Sequence, residues 1–133
     1  SAGWSGLEER GNTESVHFLR DAPHDWLFPR CCAVVHHGGA GTTHGGLRHG
    51  RPSLICPYFG DQPFWGRRVS ALGAGPKPIP IRRLNVGSMS RALQELEHES
   101  FAKAAHAVSQ CMAHECGTAT ASLLIEHTLG HTL

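Results

Sequence analysis

The sequence feature that most restricts the fold is an apolar run, residues 31–35, that leads directly into the glycine-rich segment HHGGAGTT, residues 36–43. The run ends in two β-branched valines, which is typical of a buried strand in a parallel sheet. The stretch after the glycines has helical character and stops at Gly50. This part of the chain therefore predicts a strand, a tight glycine turn and a helix.

A second unit of the same kind follows. Residues 52–56 form another short apolar run, residues 58–63 a loop, and residues 64–72 a helix that Gly73 ends. The repeated order of strand, loop and helix predicts an α/β fold, a Rossmann-like parallel sheet flanked by helices. Ligands bind such sheets outside the carboxyl ends of the strands. Both loops are therefore expected on one rim of the sheet.

Elsewhere the pattern predicts one more strand and four more helices. Asp25 is expected to cap the first of these helices, and Ser88 or Ser90 the second. The proline-rich residues 75–80 are expected to be extended. The further predicted elements are a strand over residues 16–19 and helices over residues 26–28, 88–97, 101–112 and 119–129.

The charge composition excludes several classes of function. Twelve Lys and Arg against eleven Asp and Glu leave a net charge of +1 in 133 residues, which provides no basic surface for nucleic acid. No apolar run approaches the roughly 18 residues that a membrane span needs. Residues 1–11 lack the charged and then apolar pattern of a signal peptide. We therefore expect a soluble, cytoplasmic protein with one domain.

Five cysteines are an odd number, so they cannot all pair within the chain, and reduced thiols are expected. Cys111, His114 and Cys116 lie close together in the sequence, and His106 precedes them. A small zinc-binding protein is therefore an alternative, although only the spacing from Cys111 to Cys116 approaches that of a zinc knuckle. A non-enzymatic interaction module is a second alternative.

The glycine-rich segment suits a pyrophosphate. Glycines let backbone amides approach a ligand, and the helix that follows directs its positive end to the same place. His37, Thr42 and Thr43 add side-chain donors. Neither GxxxxGK nor GxGxxG occurs here. The alternative is that the glycines only permit tight packing between the strand and the helix.

The second loop carries Asp61 and Gln62 next to each other. A carboxylate only accepts hydrogen bonds and an amide both donates and accepts, so the pair suits neighbouring hydroxyls of a sugar. The alternative is a solvated turn that caps the next helix. On the same rim as a phosphate loop, the pair predicts a sugar-nucleotide site.

These motifs together resemble those of the UDP-glycosyltransferases of the GT-B fold, and most of all the sterol 3-β-glucosyltransferase branch. The resemblance covers about residues 1–130 and is carried by residues 1–7, 21–29, 36–43, 50–52, 57–66 and 72–80. It implies that the chain is the C-terminal, donor-binding half of such an enzyme. The enzyme would transfer a hexose, glucose, from a UDP-sugar to a lipophilic hydroxyl acceptor such as a sterol.

The resemblance also implies where the donor would bind. His37 would donate to the pyrophosphate, and Asp61 and Gln62 would hold the sugar hydroxyls. The backbone amides of residues 40–42 and the Thr42 hydroxyl would bind the phosphates. These donors and the helix dipole would stabilise the departing UDP, so the family needs neither a metal nor another cofactor.

The nucleoside end of the implied site is less typical of the family. Ala22 and His24 would line the uracil edge. Plant relatives carry Trp where this chain has Asp21, and Glu where it has Gly45, as base and ribose contacts. The complete set of implied donor-site residues is Ala22, His24, His37, Ala40, Gly41, Thr42, Asp61 and Gln62.

The resemblance further implies an N-terminal domain that carries the acceptor pocket and a general-base histidine. Residues 1–133 are therefore expected to form a partial nucleotide-sugar-binding domain without that acceptor domain, and no residue of this chain is assigned as catalytic. The chain alone is expected to transfer nothing. It is also expected to self-associate, because unpaired sheet edges recruit other edges.

Overall fold

The structure is a computed structural model and describes residues 13–19 and 21–130. The family match at residues 1–7 and the signal-peptide prediction for residues 1–11 lie outside the described residues. The elements in chain order are α1 His24–Leu27, a 3₁₀ turn Phe28–Arg30, β1 Val34–His36, α2 Ala40–Arg48, β2 Ser53–Ile55, α3 Gln62–Ala71, a 3₁₀ turn Ile81–Arg83, α4 Val86–Leu96, α5 Glu99–Ala113 and α6 Gly117–Gly130.

The sheet of the described chain consists of β1 and β2, which are parallel. Their last residues, His36 and Ile55, lie opposite each other, so both strands end at the same level. Residues 74–81 follow the other edge of β2 and lead into the 3₁₀ turn that begins at Ile81. There the Ser53 N–H donates to the Ala74 carbonyl over 2.9 Å, and the Ile79 N–H donates to the Ile55 carbonyl over 3.0 Å.

Helices cover both faces of this sheet. Side chains of a strand alternate between the faces, and β2 places Leu54 in one buried cluster and Ile55 in another. The cluster around Leu54 includes α4, and the cluster around Ile55 includes α2, α3 and α5. Their members are Leu54, Cys56, Ala92 and Leu96 on one face, and Leu47, Ile55, Val69, Ala74 and Ala105 on the other. The predicted α/β class, a parallel sheet flanked by helices, is confirmed.

Two strand predictions are wrong. Residues 16–19 form no strand; the Val16 carbonyl instead accepts the Thr13 N–H over 2.8 Å in a local turn. The predicted strand over residues 31–35 begins only at Val34. It is also not fully buried, since Val35 is 42% exposed. Among the described residues β1 pairs on one side only, with β2, which leaves its outer edge open.

Two predicted helix caps are also wrong. Asp25 lies inside α1, whose first cap residue is Pro23, and its carboxylate contacts His49 Nε2 at 3.2 Å. Asn85, rather than a serine, caps α4: its Oδ1 accepts the Ser88 N–H over 2.9 Å, and the Ser88 hydroxyl accepts the Asn85 N–H over 3.0 Å. The predicted helix over residues 101–112 is confirmed as part of α5.

The last helix, α6, begins at Gly117, two residues before its predicted start, and buries none of its residues. Its apolar side chains are 59–66% exposed: Leu123, Leu124, Ile125 and Leu129. Even so, no helix in residues 13–19 and 21–130 has the length and hydropathy to cross a membrane.

Candidate functional site

The glycine-rich loop and the loop between β2 and α3 meet at the carboxyl end of the sheet. Gly38 has a φ of +94°, which side chains other than glycine rarely adopt. A Cβ on Gly38 would lie 2.5 Å from Ile55 Cγ2 and 3.1 Å from the Gln62 carbonyl oxygen. Gly38 therefore permits both the turn and the close contact with α3. The predicted shared rim of the two loops is confirmed.

The N-terminus of α2 is open. Its first cap residue, Gly39, has no side chain to satisfy the exposed amides. The Thr43 N–H donates to the Gly39 carbonyl over 3.0 Å, but the N–H groups of residues 40–42 have no acceptor in the described part of the chain. A Cβ on Gly41 would meet nothing within 4 Å. Three unpaired donors therefore point away from the helix at the rim.

The two threonines of the loop differ in their availability. Thr43 is fully buried, and its hydroxyl donates to the Gly39 carbonyl over 2.9 Å. The prediction that Thr43 adds a donor for a ligand is therefore wrong, because the fold already uses that hydroxyl. The Thr42 hydroxyl makes no hydrogen bond to any described residue and lies beside a cavity. Only Thr42 can therefore offer its hydroxyl.

The two adjacent histidines also differ. His37 is exposed, and its Nε2 stands 2.7 Å from where a Cβ of Gly39 would be, next to the open amides. His36 is half-buried, and its Nδ1 accepts the Gly38 N–H over 3.1 Å. Burial lowers the pKa of His36 from 6.5 to about 4, with smaller contributions from His37 and His24, so its ring is neutral at pH 7.

A cavity of about 270 Å³ lies between α1, β1 and the start of α2. We call it the rim cavity. It brings together three of the residues that sequence analysis assigns to the donor, namely Ala22, His24 and Thr42, and it also includes His36. The His24 ring stacks on Phe28, with the ring centroids 4.4 Å apart. An aromatic floor and a few polar groups suit a planar base.

Gly45 explains one departure from the plant pattern. A Cβ at this position would lie 3.3 Å from Phe28 Cε2. A glutamate could enter here only if the Phe28 ring moved, and Phe28 is buried and stacked with His24. The absence of a side chain at Gly45 therefore leaves room for the Phe28 ring, and this residue can make no side-chain contact with a ribose.

Asp61 and Gln62 are held in the second loop by their own side chains. Gln62 is 9% exposed, and its Oε1 accepts the N–H groups of Tyr58 and Phe59 over 2.8 and 3.2 Å. Its amide nitrogen is the group left for a ligand. The exposed Asp61 carboxylate accepts the Trp65 indole N–H over 2.9 Å and retains free lone pairs. Asp61 is the exposed first cap residue of α3, although its side chain makes no cap hydrogen bond, so the alternative of a solvated turn that caps the helix stays open.

Comparison with known families identifies the family to which this chain belongs. Residues 11–126 match the family model of the Erythromycin biosynthesis protein CIII-like, C-terminal domain. The chain belongs to this EryCIII-like C-terminal domain family. The predicted membership of the glycosyltransferases is confirmed.

Curated relatives of this EryCIII-like domain include sterol glucosyltransferases. The chain is 46% identical over 123 residues to sterol 3-beta-glucosyltransferase UGT80A2 of Arabidopsis thaliana, which covers 90% of this chain and 19% of the relative. It is 48% identical over 120 residues to the sterol 3-beta-glucosyltransferase of Yarrowia lipolytica, or 89% of this chain and 8% of the relative. The chain thus spans at most about a fifth of the length of these relatives.

Solved structures give the same fold. The glycotransferase of kitacinnamycin superposes with a TM-score of 0.77 at 25% identity, over 90% of this chain and 32% of that one. The glycosyltransferase VinC, solved in complex with dTDP, superposes with a TM-score of 0.67 at 29% identity, over 74% of this chain and 25% of that one. The EryCIII-like domain therefore has the fold of the C-terminal half of a GT-B glycosyltransferase, as predicted.

Two other features of the EryCIII-like domain lie away from the rim. A larger cavity of about 570 Å³ opens between residues 75–79, α4 and α5, and no predicted site residue lines it. In the described residues no three His, Cys, Asp or Glu side chains are grouped so that they could hold a metal ion. The zinc alternative built on Cys111, His114 and Cys116 therefore has no support.

Proposed function

We propose that this chain is the donor-binding part of a glycosyltransferase that transfers a hexose, glucose, from a UDP-sugar to the hydroxyl of a lipophilic acceptor such as a sterol. The observation that carries the proposal is the open N-terminus of α2, with three unpaired amides beside the rim cavity. It occurs in a chain that is 46% identical to a sterol 3-beta-glucosyltransferase.

In this proposal the pyrophosphate binds at the start of α2. Negative charge builds up on the departing diphosphate as the glycosidic bond breaks. The amides of residues 40–42, the Thr42 hydroxyl and His37 are in place before the reaction, so they stabilise that charge without rearrangement. The positive end of the α2 dipole acts in the same direction. This role needs no metal ion.

The sugar and the base would lie on either side of the diphosphate. The Asp61 carboxylate accepts hydrogen bonds from hexose hydroxyls, and the free amide nitrogen of Gln62 donates to one. Ala22 and His24 border the uracil in the rim cavity, over the floor that Phe28 provides. The acceptor pocket and the base that deprotonates the acceptor are assigned to a domain outside residues 1–133.

A chimeric enzyme tests this proposal. The matching segment of Arabidopsis sterol 3-beta-glucosyltransferase UGT80A2 is replaced by this chain, and formation of steryl glucoside from radiolabelled UDP-glucose is measured. We expect activity with UDP-glucose, a marked loss with His37→Ala, and little change with His114→Ala, an exposed residue at the end of α5. A folded chimera that binds sterol but forms no glucoside from any nucleotide sugar, dTDP-glucose included, contradicts the proposal.

A further inference from the structure

His36 and His37 are adjacent, but only His37 has a role in the proposed donor site. His36 is the last residue of β1, and its backbone is fixed there because the Cys56 N–H donates to the His36 carbonyl over 2.8 Å. Its side chain points back into the loop rather than into solvent. The question is what a half-buried imidazole does at this position.

The contact with Gly38 determines the state of the His36 ring. Because the Gly38 N–H donates to Nδ1 over 3.1 Å, Nδ1 carries a lone pair and the proton of the ring sits on Nε2. A protonated ring could not accept this bond. The titratable groups that face His36 are His24 and His37, and positive charge on either would, like burial, favour the neutral form of His36 and lower its pKa.

Stability alone does not explain a histidine here. Nε2 is buried and has no hydrogen-bond partner among the described residues. An unsatisfied buried donor destabilises a fold, and an apolar side chain of similar size would avoid it. What an apolar side chain would not supply is the acceptor for Gly38.

Gly38 is the residue at which the chain turns from β1 into α2. It adopts a φ of +94°, and a Cβ here would meet Ile55 and Gln62, so the turn is closely packed at this residue. Its N–H is held by His36 and is not available to a ligand. The open amides of residues 40–42 follow Gly38 after one further residue, Gly39.

We propose that His36 is a positioning residue of the donor site: its Nδ1 fixes the Gly38 peptide, and thereby aims the amides of Ala40, Gly41 and Thr42 at the diphosphate. This inference rests on the proposed function, because it concerns the same site. It gives the two histidines separate tasks, since His37 contacts the ligand directly and His36 acts through the backbone.

Substitution by Asn or Gln can distinguish the positioning role of His36 from the ligand contact of His37. Asn places an oxygen near the position of a histidine Nδ1, whereas Gln places its nitrogen near the position of Nε2. At residue 36 Nδ1 is the working atom, and at residue 37 Nε2 lies next to Gly39. His36→Asn and His37→Gln should therefore keep UDP affinity, whereas His36→Gln and His37→Asn should lose it.

The test is titration of UDP into the 15N-labelled chain and six variants: His36→Asn, His36→Gln, His36→Leu, His37→Asn, His37→Gln and the control His114→Asn. Loss of the Gly38 bond, at about 1.4 kcal/mol, corresponds to about tenfold weaker binding. We expect that loss for His36→Gln and His36→Leu, and affinity within about threefold of wild type for His36→Asn and the control. Equal behaviour of the Asn and Gln variants at residue 36 overturns the proposal.

A second measurement without ligand separates this inference from the proposed function. Hydrogen exchange of the Gly38 amide should be slow in wild type and in His36→Asn, and clearly faster in His36→Gln and His36→Leu. If wild type binds no UDP, the proposed function fails, and the Gly38 exchange rates still decide whether His36 holds the loop. Equal Gly38 exchange in all folded variants overturns the positioning role of His36, whatever UDP does.

Discussion

Replacing Gln62 by Leu should destabilise the domain by about 2 kcal/mol, because Gln62 closes the loop between β2 and α3. Its Oε1 accepts the N–H groups of Tyr58 and Phe59, and the residue is only 9% exposed. Each hydrogen bond contributes about 1 kcal/mol net, and Leu removes both. Both bonds are partly buried, so about 2 kcal/mol is the loss expected for the pair.

Gln62→Glu is the matched variant. A carboxylate still accepts both N–H groups, and Gln62 is the first residue of α3, where a negative charge is favoured by about 0.3–1 kcal/mol. The free energy of unfolding at pH 7 should therefore stay within about 1 kcal/mol of wild type. The same exchange removes the amide donor proposed for the sugar, so it should weaken the binding of UDP-glucose but not that of UDP.

The assay is urea unfolding at pH 7, with Gln94→Leu as control, because Gln94 is exposed on α4 and its side chain makes no hydrogen bond to a described residue. If Gln62→Leu loses no more stability than the control, the hydrogen bonds of Gln62 Oε1 do not stabilise the loop. The same conclusion follows if Gln62→Glu loses as much stability as Gln62→Leu, since the carboxylate would then not be replacing the amide oxygen.

Three further predictions concern pH, sugar recognition and association. Because the pKa of His36 is lowered from 6.5 to about 4, the unfolded chain takes up its proton first as the pH falls. As the pH falls from 6.5 to 4, the free energy of unfolding of wild type should decrease by about 3 kcal/mol more than that of His36→Asn. Parallel plots of the urea-derived free energy of unfolding against pH contradict this. Asp61→Ala should reduce affinity for UDP-glucose to that for UDP, measured by paired titrations, and an equal loss for both ligands removes Asp61 from the sugar site. The chain should self-associate in sedimentation through the open edge of β1, and the exposed face of α6 is a second apolar contact, so Leu124→Lys with Leu129→Lys should reduce the association. A wild-type monomer at high concentration is the contrary result.

The strand–loop–helix units were predictable because their signals are local. Glycines at positive φ end α2 and α3, at Gly50 and Gly73, where the sequence indicates. Parallel strands also determine where their loops go, so the shared rim follows from strand order alone. The start of β1 was not predictable, because a continuous apolar run does not show which of its residues find a partner strand.

The roles of individual polar residues depended on tertiary contacts. Residue type and spacing do not distinguish His36 from His37, or Thr42 from Thr43, because the difference lies in which side chain the turn buries. Only the family resemblance selected His37 and Thr42. The amide oxygen of Gln62 suits a sugar and a loop equally well, and the fold uses it for the loop. The cap of α4 could be predicted from the sequence, because Asn85 and Ser88 have capping-box spacing.

We propose that the open N-terminus of α2 binds a nucleoside diphosphate. The most direct test maps backbone amide shifts while the 15N-labelled chain is titrated with UDP. We expect the amides of Ala40, Gly41 and Thr42 to be among the most strongly shifted and to saturate together with those bordering the rim cavity. Uridine, which lacks the diphosphate, should leave these three nearly unmoved. Shifts confined to the larger cavity beside α4, at Lys77 and Arg91, or equal shifts with uridine and UDP, would contradict the claim.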